Sequence, residues 1–120
     1  MMIKDVKKCK EFIAGDNSIL KELLNPLKEE VAIQYSLALA KVKQGEITSV
    51  HKLKSSEVYY ILEGIGEMYI DKEKGKVSAG QAIYIPPNSV QRIKNIGKND
   101  LVFLCIVEPA WKKEDEEVIE

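Results

Sequence analysis

GEITSVHKLKSSEVYYILEG, Gly45 to Gly64, is the stretch that decides how this chain folds. Glycines bound it, and between them β-branched and aromatic residues alternate with polar ones. His51 and Leu53 are two apart, so in an extended chain they share a face. Past the turn at Lys54-Ser55-Ser56, Glu57, Tyr59 and Ile61 share a face, and Val58, Tyr60 and Leu62 take the other. Val58 to Leu62 therefore reads as a strand. His51 is the only histidine in the chain.

The flanking segments continue the theme. Glu63-Gly64-Ile65-Gly66 reads as a glycine turn, with Glu67 to Asp71 returning as a hairpin partner. Val77 marks a short strand. Gln81 to Ile85 is a strand stopped by Pro86-Pro87, and Gln91, Ile93 and Asn95 share a face of the next one. Leu101 to Val107 reads as an apolar strand buried on both faces, with Cys105 as a small buried hydrophobe. On the N-terminal side, Val31 to Val42 is strand-like. Asp16-Asn17-Ser18 could cap a helix running to Leu24, but Ile19 to Leu24 reads better as an edge strand. Short strands separated by turn signals predict an all-β fold, a sandwich or a small antiparallel barrel.

Two spacings carry a family resemblance. Gly45-x5-His51-x-Leu53-x3-Glu57-x6-Gly64 resembles the first motif of the cupin superfamily, G-x5-H-x-H-x3,4-E-x6-G. Gly80-x5-Pro86-x-Asn88-x2-Gln91-x3-Asn95 resembles the second, G-x5-P-x-G-x2-H-x3-N. The resemblance implies a jelly roll (a double-stranded β-helix), commonly a homodimer, with its barrel core over residues 31–108 of a single domain. An N-terminal extension covers 1–30 and a charged, partly mobile tail covers 109–120. Members of the family usually bind a divalent metal through two histidines and a glutamate of the first motif and a histidine of the second. Here only His51 and Glu57 match. Leu53 stands at the second histidine and Gln91 at the last.

The pocket expected from strand alternation holds His51, Leu53, Glu57, Tyr59, Gln91 and Ile93, with Arg92 and Lys94 pointing away. Two functions fit it. One is a small-molecule-binding protein with a partly lost metal site, His51 pairing with Glu57 or Gln91. The other is a metal-dependent enzyme of isomerase, lyase or dioxygenase type, with Mn²⁺, Fe²⁺, Ni²⁺ or Zn²⁺ on His51, Glu57 and Gln91. Gln91 offers only a neutral amide oxygen, a poor ligand for soft ions. Trp111 is expected to plug the barrel end, and Glu114 to Glu117 to be a solvated acidic stretch.

Composition sets the outer limits. The 120 residues are 45% hydrophobic and 31% charged, with a net charge of −1. Such a balance gives no electrostatic case for nucleic acid or an anionic membrane. There is no apolar run of transmembrane length and no secretory signal pattern at the N-terminus, so the expected location is the cytoplasm.

Overall fold

The structure is a computed structural model describing residues 1–120. Its strands in chain order are β1 (Glu11–Ile13), β2 (Ile19–Leu24), β3 (Ser36–Val42), β4 (His51–Leu53), β5 (Ser56–Glu63), β6 (Ile65–Ile70), β7 (Glu73–Ser78), β8 (Ala82–Ile85), β9 (Gln91–Asn95), β10 (Leu101–Glu108) and β11 (Glu116–Val118). They form a six-stranded sheet ordered β1-β2-β3-β10-β5-β8 and a five-stranded sheet ordered β11-β4-β9-β6-β7. Every pairing is antiparallel. The expected all-β jelly roll is what forms. No helix is long and apolar enough to cross a membrane.

Register decides which side chains meet. Residues directly opposite across a ladder share a face. In the larger sheet, Ala38, Cys105, Tyr59 and Ile83 form one inward row, and Ser36, Val107, Glu57 and Ile85 form the next. In the facing sheet, Val118, His51, Gln91 and Ile70 line up across four strands. One end of the barrel is filled by Ala40, Val42, Ile61, Met68, Ile85, Ile93, Leu101 and Phe103, with Tyr59 at their boundary. The other end is left open.

Several boundaries differ from the sequence reading. The third strand begins at Ser36, not Val31. Leu101 to Val107 is not buried on both faces: Leu101, Phe103 and Val107 are buried on the inner face, where Cys105 is only half-buried, and Val102, Leu104 and Ile106 are half-buried on the outer face. Ile19–Leu24 is a strand, but it lies between β1 and β3 rather than at the sheet edge. The tail is also structured, with Glu116–Val118 adding an edge strand to β4.

The largest departure lies at Gly64. β5 pairs with β10 and β8, while β6 pairs with β7 and β9, so Gly64 carries the chain between sheets and closes no hairpin. The true hairpin joins β6 to β7 through Asp71-Lys72, with Asp71 at φ 51°. Gly64 has φ +90°, and a Cβ there would lie 2.6 Å from the Asp100 carbonyl oxygen. Gly64→Ala is therefore expected to destabilise the fold by about 1–3 kcal/mol, measured by urea denaturation. Gly75→Ala, which meets nothing within 4 Å, serves as the control.

Candidate ligand-binding site

At the open end lies a cavity of about 400 Å³, within the range of small-molecule sites. Its walls are largely apolar, with Phe12, Leu20, Tyr59, Phe103, Val107 and Trp111 among them. Its polar lining includes Asp16, His51, Glu57 and Glu116.

His51 is placed by β4 and is 3% exposed. Its Nδ1–H donates to the Ser49 carbonyl at 2.8 Å. Only a protonated Nδ1 can make that bond, so in the neutral ring the lone pair sits on Nε2. Nε2 lies 3.7 Å from Asp16 Oδ2, beyond hydrogen-bonding range. It thus remains a free acceptor.

Asp16 reaches this position through a turn between β1 and β2. Its Oδ1 accepts the Ser18 N–H at 3.0 Å and the Ser18 hydroxyl at 2.6 Å. The Asn17 side-chain amide donates to Ser49 Oγ at 2.8 Å, and the Ser49 N–H to the Asp16 carbonyl at 2.7 Å. The turn is pinned to the strand that carries His51.

Glu57 comes from the opposite sheet. Gln91 Nε2 donates to Glu57 Oε1 at 2.6 Å, and the Tyr59 hydroxyl donates to Gln91 Oε1 at 3.2 Å. This chain of bonds ties the two sheets together. Burial pushes the Glu57 carboxyl up to about 7, against the opposing pull of the Gln91 bond and of His51; Asp16 and Glu116 raise it further. Burial also raises Glu116, as does Asp16, whereas His51 and a hydrogen bond from the Trp111 side chain lower it. The Cys105 thiol is half-buried in the cavity wall and is held protonated by burial and by Glu57.

Of the residues expected in the pocket, His51, Glu57 and Tyr59 line the cavity. Leu53, Gln91 and Ile93 are buried but do not line it. The expected pairing of His51 with Glu57 or Gln91 does not form; the ring bonds to Ser49 and Glu57 bonds to Gln91. Asp16 and Glu116 were not anticipated. Glu116 lies directly opposite Leu53 on the neighbouring strand, so the expected solvated acidic stretch contributes a carboxyl to the site. Trp111 lines the cavity and is fixed through its backbone: its N–H donates to Ser36 Oγ and its carbonyl accepts from Asn25 Nδ2.

The metal set expected from the sequence was His51, Glu57 and Gln91. The Gln91 oxygen is turned toward Tyr59, and its nitrogen toward Glu57. Leu53 has no donor atom. No three His, Cys, Asp or Glu side chains converge on one point. As a set, these residues do not fit a divalent metal.

Comparison with known proteins agrees with the architecture. An uncharacterized protein from Methanocaldococcus jannaschii is 45% identical over 114 residues, covering 94% of this chain and 90% of that protein. The structure named as a predicted oxalate decarboxylase from Thermotoga maritima superposes with a TM-score of 0.79 at 22% identity, covering 90% of this chain and 99% of that one. A nucleoside dehydratase, also solved from Streptomyces, superposes at 0.78 with 20% identity, covering 100% and 92%. At those identities the two structures share the fold alone. The family model described as Cupin domain matches residues 38–107, and the chain belongs to that family.

Proposed function

We propose that the protein binds a small organic molecule in the cavity between Trp111 and His51, without a transition metal. The observation that carries this reading is the orientation of Gln91. Its amide bridges Glu57 and Tyr59 across the barrel, so the position where the family usually presents a histidine serves as structure. What faces the cavity is apolar surface with a few acceptors, a composition suited to orienting a small polar ligand. A ligand bound only by the folded protein raises its thermal midpoint. A chelator is expected to leave the midpoint unchanged, while a fragment library yields binders that perturb the His51 ring signals in NMR. A chelator-induced drop of several degrees would contradict the proposal.

One observation favours a second reading, in which the same cavity performs acid–base chemistry. His51 presents a lone pair at Nε2, and Glu57, at about 7, divides near neutrality between acid and base. Those are the two halves of a metal-free general acid–base pair. Turnover of a bound ligand, lost in His51→Asn and in Glu57→Gln while binding persists, would establish it. Binding with no turnover leaves the protein a carrier or sensor.

The chain is also proposed to act as a homodimer. On the outer face of the larger sheet, Leu37, Ile106, Val58 and Tyr84 form one row across four strands, flanked by Leu39, Leu104, Tyr60 and Ala82. Tyr60 is 40% exposed and Tyr84 62%. The two rows carry no charge, so a second copy could cover them without repulsion. Tyr60→Glu is expected to convert a dimer to a monomer in sedimentation analysis. A wild-type monomer at about 100 µM would rule the dimer out.

A further inference from the structure

We propose, on the small-molecule reading above, that the ligand is an organic cation: a protonated amine on an apolar body. The polar groups of the cavity are almost all acceptors. Asp16, Glu57 and Glu116 line it together with His51, whose ring already uses its one neutral N–H on Ser49. Glu22 also lines it, but Lys28 pairs with that carboxylate at 2.8 Å. The one ammonium in the lining belongs to Lys113, which is exposed. The chain's single arginine, Arg92, stacks over Tyr69, 5.2 Å from the ring centroid, and does not line the cavity. Nothing there could clamp a phosphate or a carboxylate by a fork of donors.

The unused Nε2 of His51 gives the charge argument a specific location. Nε2 has no hydrogen-bond partner within the protein; since no buried side-chain nitrogen or oxygen is left unsatisfied, it is open to the cavity that His51 lines, and Asp16 Oδ2 stands 3.7 Å away. An ammonium nitrogen about 2.8 Å from each, donating one N–H to each, would satisfy both acceptors at once. Phe12, Tyr59, Phe103 and Trp111 line the same cavity and supply aromatic surface for an apolar body. Carboxyls crowded into a partly buried cavity repel one another, and a bound cation relieves that repulsion.

A matched probe set isolates the charge: benzylamine, benzyl alcohol and benzoate share a ring and differ in one group. At about pH 8, benzylamine is expected to shift the His51 ring resonances saturably and to raise the thermal midpoint of the full chain. Benzyl alcohol should bind at least about tenfold more weakly and benzoate not detectably. Asp16→Asn should weaken benzylamine by about tenfold or more with little effect on the alcohol. Because Asp16 also holds the Ser18 turn, Glu116→Gln provides a second variant with the same expected direction. Equal or tighter binding of benzyl alcohol or benzoate at His51 would overturn the cation while leaving the small-molecule reading intact. A wider fragment set that never perturbs His51 would remove both.

Discussion

Glu57→Gln is expected to make the protein more stable above neutral pH, by about 3 kcal/mol. In the unfolded chain this carboxyl titrates near 4.5, and in the fold burial carries it to about 7. The folded state therefore holds its proton over a window in which the unfolded state has lost it. Below about pH 4.5 both states are protonated and the group is neutral in effect. Between 4.5 and 7 stability falls as pH rises, and above 7 the full penalty is present. The groups that set this value are the Gln91 amide and His51, which favour the carboxylate, and Asp16 and Glu116, which oppose it. A glutamine at position 57 has no charge to bury, and its amide oxygen can still accept from Gln91 Nε2. Urea denaturation of both proteins at several pH values checks this. The variant's advantage should be small near pH 4.5 and largest above pH 7. An advantage independent of pH, or a variant less stable at high pH, would contradict it. A residue that costs stability where the fold must work is what a binding site retains.

Phe103→Ala is expected to cost about 3–5 kcal/mol. Phe103 is 1% exposed and stands where the filled end of the barrel meets the cavity. Its ring lies 4.6 Å from that of Tyr59, tilted by 38°. Removing it loses the transfer energy of the ring and joins the cavity to the space left among Ala40, Ile61 and Leu101. It also removes the surface on which Tyr59 rests while it donates to Gln91. Tyr59→Phe is the natural contrast: it keeps the packing and gives up one hydrogen bond, a loss of about 1 kcal/mol. Urea denaturation separates the two. A cost below about 1 kcal/mol for Phe103→Ala would mean that this wall is loosely packed and does not bound the cavity.

Much of the fold could be read from alternation, because a barrel buries one face of each strand. Glu57, Tyr59 and Ile61 point inward as their spacing requires, and His51, Leu53, Gln91 and Ile93 are all buried. Pairing was less legible. A glycine between two strands looks the same whether the chain folds back within a sheet or crosses to the other, and Gly64 does the latter. Asp16 was obscured by its own chemistry. An aspartate accepting the N–H two residues on can cap a helix or close a turn between strands, and here it closes the β1–β2 turn. Glu116 sits in a charged tail with little apolar signal, yet an edge strand needs only backbone pairing to add to a sheet, and β4 supplies it. The spacing that marked a metal site picked out His51 and Glu57, both of which line the cavity. The geometry of Gln91 could not be read from spacing, because an amide can face a ligand or its neighbours equally well.

The cavity is proposed to hold an organic ligand without a transition metal. This is tested most directly by metal analysis of the protein purified without a histidine tag, before and after incubation with Mn²⁺, Fe²⁺, Ni²⁺ and Zn²⁺ and extensive dialysis. Far less than one ion per chain is expected in every case, with no difference between wild type and Glu57→Ala. Near-stoichiometric metal in the wild type that disappears in Glu57→Ala would contradict it.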